Sequence, residues 1–128
     1  MTATALPPAP RAALGAIASL HEACADPTRL RLLNLLAAGE LCVCDLTALT
    51  ALGQPFVSRH LARLRAAGVV SVERRGKYAY YRIGRLAPAL TRQLTAVLSS
   101  LNDAHTLLAR ERRRAAAAVK RRHALPCT

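Results

Sequence analysis

The spacing of apolar residues along this chain changes twice, and the changes mark its parts. From Ala12 to Ala23, Leu14, Ile17, Ala18 and Leu20 share one side of a helical wheel and predict a first helix. Asp26-Pro27 starts a second, with aspartate as cap and proline where its missing N–H costs nothing. Leu30, Leu33 and Leu36 continue that helix towards Gly39. Leu46, Leu49 and Leu52 then predict a short amphipathic helix from Cys44 to Ala51. Leu52-Gly53-Gln54 interrupts it, with Gly53 expected to take the turn conformation closed to other residues. Pro55 opens the next helix, Val57, Leu61 and Leu64 form its apolar stripe, and Gly68 stops it. From Val69 to Ile83 the period falls to two, through Val70, Val72, Tyr78, Tyr80 and Arg82. Arg74-Arg75-Gly76-Lys77 breaks that alternation as the basic tip of a β-hairpin. Helical spacing returns from Leu86 to about Val119.

Two short helices joined by a tight turn, with Ser58, Arg59, Arg63 and Arg65 outward and His60 beside them, suit a DNA major groove. A basic hairpin directly behind is the wing of a winged helix-turn-helix, so the expected fold is mainly α with one small hairpin. Gln54, Ser58, Arg59 and His60 are candidates for base contacts, and Arg63, Arg74, Arg75 and Lys77 for phosphate contacts. Charge supports a polyanionic partner: Lys and Arg outnumber Asp and Glu by 19 to 7, a net charge of +12. The apolar face of the last helix exceeds what the core covers. It is expected to pair with the first helix of a second subunit, giving a homodimer that dimerises through first and last helices. Two recognition helices related by a two-fold axis call for an operator that is an inverted repeat. Proline-rich residues 1–11 are expected to be a disordered arm, 12–108 the domain, and 109–128 a basic tail that either contacts phosphates or is solvated.

Four cysteines, at 24, 42, 44 and 127, are not expected to form a disulfide framework in a reducing compartment, and they lack the C-x-x-C spacing of a structural zinc ribbon. With no long apolar run and no signal-peptide pattern, the chain reads as soluble and cytoplasmic, with no membrane partner. Seven acidic residues and no Cys/His/acid constellation argue against an enzyme.

Cys24-Ala-Asp-Pro-Thr-Arg-Leu30, Glu40-Leu-Cys-Val-Cys-Asp-Leu46, Ser58-Arg-His-Leu-Ala-Arg-Leu64 and the tyrosine-rich wing together resemble the ArsR/SmtB family of metalloregulatory repressors, over about residues 12–108. Glu40 to Leu46 is similar to the metal box of its arsenical-responsive and cadmium/lead-responsive branches. The resemblance implies a homodimeric repressor that holds its operator when metal-free and releases it when a thiophilic ion binds. Cys42 and Cys44 are then the metal ligands. Thiolates select soft ions such as As(III), Sb(III), Cd(II) or Pb(II), and a helix N-terminus favours the thiolate form. In a regular helix, residues two apart diverge by roughly 200°. The two sulfurs are therefore expected to face apart, to make a poor disulfide, and to grip one ion only if the helix start is re-aimed.

Arsenical-responsive relatives often carry a third cysteine where this chain has Thr47. Cys24 lies across a helix of roughly 20 Å and is expected to be a buried structural thiol unless it acts across the dimer. Cys127 is the other candidate third ligand. No cysteine lies in residues 1–23, which favours As(III) or Sb(III) as inducer over the cadmium/lead alternative. The family's other site, on the last helix, is matched by Asp103 and His105, but Ala116 and Val119 cannot coordinate, so no zinc site is expected there. A rival input is thiol oxidation through the same cysteines. The residue roles predict that Arg59→Ala weakens operator binding by about 1–3 kcal/mol and random-sequence binding less. Anisotropy titrations on both duplexes check this; equal losses mean a phosphate contact only.

Overall fold

The computed structural model describes residues 6–124. Six helices and three short strands follow in order: α1 (Pro8–Ala23), α2 (Pro27–Leu36), β1 (Leu41–Cys42), α3 (Val43–Thr50), α4 (Gln54–Ala66), β2 (Val70–Arg75), β3 (Tyr78–Ile83), α5 (Pro88–Ala104) and α6 (Thr106–Ala124). The winged helix-turn-helix expected from the spacing is present: α3 and α4 form the helix pair and β2–β3 the wing.

α2 is the central element. Asp26 caps it, its carboxylate accepting the Arg29 N–H at 3.0 Å, and Leu32, Leu33 and Leu35 are fully buried. Around them pack Leu46 of α3, Val57, Leu61 and Leu64 of α4, and Leu94 and Leu98 of α5. Asn34, also fully buried, is satisfied by a polar bridge. Its amide donates to the Leu108 carbonyl (3.3 Å) and its oxygen accepts from Asn102 (3.0 Å), which ties α2 to both C-terminal helices.

Four features depart from the reading of the sequence. First, α1 begins at Pro8 rather than residue 12. Pro7, Pro8 and Pro10 all fall in the cap and first turn, where no backbone N–H is needed, so the prolines start a helix instead of preventing one. Residues 1–5 of the expected arm lie outside the described residues. Second, the left-handed residue of the α3–α4 turn is Ala51 (φ 57°), while Gly53 at φ −65° caps α4 in an extended conformation. The chain reverses at the C-cap of α3, where the Ala51 N–H still reaches the Thr47 carbonyl. Third, β1 was too short to be read. It pairs with β3, Leu41 opposite Tyr81 and Cys42 opposite Tyr80, so the sheet order is β1-β3-β2.

Fourth, the long last helix is two. His105 adopts an extended conformation (φ −151°, ψ 128°), and its Nδ1 accepts the Leu107 N–H at 3.1 Å, closing α5 and opening α6. His105 is thus a cap beside exposed Asp103. α6 runs straight through residue 108, where the domain was expected to end. It folds back with Ala115 and Ala118 buried, and Val119 lies so close to Gly39 that a β-carbon there would meet its Cγ1 at 2.8 Å. Alanines make this close approach to α2, β1 and α3 possible. A forked ion pair fastens it: Arg31 donates to both Glu111 oxygens (2.9 and 3.0 Å from Nε) and to the Thr50 carbonyl (3.1 Å). Glu111→Ala is expected to cost about 2 kcal/mol, because a charge-assisted fork is lost and Arg31 keeps only the carbonyl. Urea unfolding monitored by circular dichroism checks it.

Candidate metal centre and nucleic-acid interface

The Glu40–Leu46 segment passes from strand to helix, and that passage decides the geometry of its cysteines. Cys42 is the last residue of β1 and the N-cap of α3, with extended φ −83° and ψ 166°. Its Sγ accepts the Asp45 N–H (3.3 Å), and the Asp45 carboxylate accepts the Cys42 N–H (3.1 Å), a reciprocal capping box with sulfur in the hydroxyl's place. Cys44 stands in the first turn. Because Cys42 is outside the helix, the 200° divergence does not apply. The two Cα atoms are 5.3 Å apart and the sulfurs are joined in a disulfide. The expectation of opposed sulfurs and a poor disulfide is corrected accordingly.

The ligand atoms of Cys42, Cys44 and Asp45 all lie within 4.8 Å of one another, the one metal-capable group of three among the described residues. Opened to thiols, it offers two soft sulfurs and one carboxylate oxygen to a small thiophilic ion. Cys42 is buried and Cys44 exposed, which leaves the pair reachable from one side. Asp45 was missed as a donor. Its only signal in the sequence is an acid three residues after a candidate cap. Thr47, in place of a third cysteine, donates to the Cys44 carbonyl at 2.9 Å. Cys24, half-buried at the C-cap of α1, lies outside the group, and burial pushes its thiol pKa up. Cys127 lies outside the described residues.

A cleft of about 480 Å³ connects this centre to the candidate nucleic-acid surface. Cys42, Cys44 and Thr47 line one wall, Gln54 and Ser58 of α4 the second, and Arg74, Lys77 and Tyr78 of the wing the third. Gln54 donates to the Ser58 hydroxyl at 3.1 Å. The remaining candidates lie elsewhere. Arg59 is exposed beside Phe56, its guanidinium 5.9 Å from the ring centroid. His60 turns inward: its Nδ1 is 3.6 Å from the Asp26 carboxylate and its ring meets Phe56 edge-on at 4.7 Å. Arg63, largely exposed, is 3.5 Å from Glu22. Arg75 is held back along the wing, paired with Glu40 and Glu73 and lying 4.2 Å over the Tyr80 ring. Its pKa is raised above the usual arginine value, chiefly by the hydrogen bond to Glu40.

A helix pair with a basic second helix, backed by a three-stranded sheet whose hairpin projects beside it, defines a winged helix-turn-helix regulator. Residues 26–72 match the family described as bacterial regulatory protein, arsR family. The arsenic resistance transcriptional regulator ArsR1 of Pseudomonas putida is 46% identical over 82 residues, covering 63% of this chain and 62% of that protein. The arsenical resistance operon repressor of Escherichia coli is 45% identical over 71 residues, 55% of this chain and 61% of that protein. ArsR2 of Pseudomonas putida is 39% identical over 79 residues, 61% and 69% respectively. The chain thus spans about three fifths of the length of the first two relatives.

Among solved structures, the antimony-specific transcriptional repressor AntR superposes with a TM-score of 0.61 at 33% identity, covering 80% of this chain and 91% of that one. A homodimeric winged helix-turn-helix DNA-binding domain from Mycobacterium bovis gives 0.64 at 28% identity, covering 78% and 91%. The chain belongs to the arsR family of bacterial regulatory proteins. The relatives just cited are regulators or repressors by name, and none is an enzyme.

The capping role of Cys42 separates folding from sensing. Cys42→Ser keeps an oxygen cap and is expected to hold the melting temperature of the reduced protein, whereas Cys42→Ala lowers stability by about 1 kcal/mol. Thermal unfolding of both variants under reductant checks this.

Proposed function

We propose that this chain is a transcriptional repressor that binds an inverted-repeat operator as a homodimer and releases it when As(III) or Sb(III) takes the Cys42 and Cys44 thiolates. The observation that carries the reading is the position of the pair: it caps α3, ends the strand bonded to the wing, and opens onto the cleft shared with α4. In the cytoplasm glutathione and thioredoxin-type dithiols keep thiols reduced. By thiol–disulfide exchange such a thiol reductant supplies the two electrons and two protons that convert the disulfide to the binding form, and is itself oxidised to a disulfide. Each thiol then condenses with an As–OH group, forming an S–As bond and releasing water. Asp45 is the candidate third donor, ahead of Cys24 and Cys127.

Ligation competes with the capping box. The Cys42 sulfur and the Asp45 carboxylate are the two acceptors that fix the start of α3, and an ion that takes them withdraws about 1 kcal/mol of cap. Cys42 also faces Tyr80 across the ladder, so its displacement reaches the wing. An inducer that gains from this rearrangement favours the conformer with the less well-aligned DNA surface, which is the differential affinity a switch requires. Gln54, Ser58 and Arg59 are assigned to bases or their edges, and Arg63, Arg74 and Lys77 to phosphates. His60 supports α4 against α2, and Arg75 braces the wing. The dimer is supported by α1, on which Leu14 and Ile17 are exposed and only Leu20 and Ala23 buried, and by the homodimeric M. bovis relative. AntR's antimony specificity supports a trivalent metalloid inducer.

The disulfide favours a second reading, in which hydrogen peroxide oxidises the thiol pair, giving disulfide and two waters, and that oxidation is the input. The two are separated by anisotropy of labelled DNA from upstream of the gene, titrated under reductant with arsenite, antimonite, cadmium, lead and zinc, and without metal but with peroxide. Release by arsenite or antimonite, abolished in Cys44→Ser with DNA affinity unchanged, is the expected result. Release by cadmium or lead instead moves the chain to the other branch. Release by peroxide alone establishes the oxidation reading.

A further inference from the structure

We infer that the exposed basic face of α6 is a third phosphate-binding surface, engaging the DNA backbone beside the half-site read by α4. It rests on the repressor reading above and assigns a further element to that interface. α6 carries Arg110, Arg113, Arg114, Lys120 and Arg121 on its exposed side. Its only acid, Glu111, is already engaged by Arg31. Such one-sided charge has a cost in an isolated helix: Arg110 and Arg114 are four apart, a like-charge pair that destabilises. A polyanion laid along the helix removes that cost.

Position makes DNA the polyanion. α6 packs against α3, and Arg114 and Arg121 border a groove whose other wall is Asp45, Ala48 and Leu49 of α3. The adjoining side of α3, at Cys44 and Thr47, borders the cleft with Gln54, Arg74 and Lys77. α3 therefore lies between two basic surfaces, and its own outward residues, Cys44 and Ala48, are uncharged. The acid on the path, Asp45, accepts the Cys42 N–H. Arg114 and Arg121 are two turns apart, roughly 10.5 Å along α6, far enough to meet separate phosphates of one strand. Burial of Ala115 and Ala118 and the Arg31–Glu111 fork hold this spacing fixed, so the arginines are pre-positioned rather than trailing.

The test is the salt dependence of DNA binding for the wild type, for Arg114→Gln/Arg121→Gln, and for a control with equal charge change on α1 and α5, Arg11→Gln/Arg92→Gln. Each is titrated by anisotropy on an operator duplex and on a random-sequence duplex. The plot of log affinity against log salt is expected to be shallower by about two per subunit in the α6 variant and nearly unchanged in the control. The operator-to-random ratio and arsenite release should stay as in the wild type, since phosphate contacts carry no sequence information. An unchanged slope in the α6 variant, with circular dichroism confirming its fold, overturns the inference and leaves the repressor reading intact. So does an equal loss in the control, which would mean a diffuse field rather than contact. Wild-type protein that binds neither duplex overturns both readings.

Discussion

The cap of α3 is the interaction on which the rest depends. A helix of eight residues has little stability of its own and relies on its ends and its packing. Here the N-terminal end is fixed by a cysteine sulfur and a carboxylate, each accepting the other residue's backbone N–H. Those atoms are also the only group among the described residues suited to a soft ion. In the proposed function, holding the helix and taking a ligand draw on the same two side chains. The helix they cap is itself half of the helix-turn-helix pair.

The C-terminal helix changes how that pair is held. α6 returns across α2 and α3, and Arg31 joins Glu111 of α6 to the Thr50 carbonyl at the far end of α3. α3 is thus capped by Cys42 and Asp45 at its start and tethered to the domain body at its finish. The wing is restrained separately, through the β1–β3 ladder and the Arg75–Glu40 pair. A disturbance at Cys42 meets both restraints within a few residues.

Much of this was legible from residue spacing, and the failures have specific causes. The helices whose apolar stripes face the core, α2 and α4, and the hairpin with its basic tip stand where their periodicity put them, since burial of one face enforces that pattern. The α5–α6 break was hidden because leucines continue on both sides of His105, and only its backbone conformation shows the reversal. Both cysteines were recognisable, but their geometry was misjudged. A two-residue strand leaves no periodic signal, so Cys42 was assigned to the helix it caps. Asp45 was passed over for the same reason, and the pairing of His60 with Asp26 and of Arg75 with Glu40 left no signal because the partners are distant in sequence.

Ala51 ends α3 in a left-handed conformation that costs an L-residue about 1–2 kcal/mol. It stands at the opposite end of α3 from Cys42 and Cys44, and the cysteines need not be altered to change it. The stability of α3 therefore includes a contribution set at the helix's far end. In the proposed repressor, substitutions there would shift the concentration at which it responds and leave the selectivity of the cysteines as it is. Dose range and ion preference would then be separately adjustable properties.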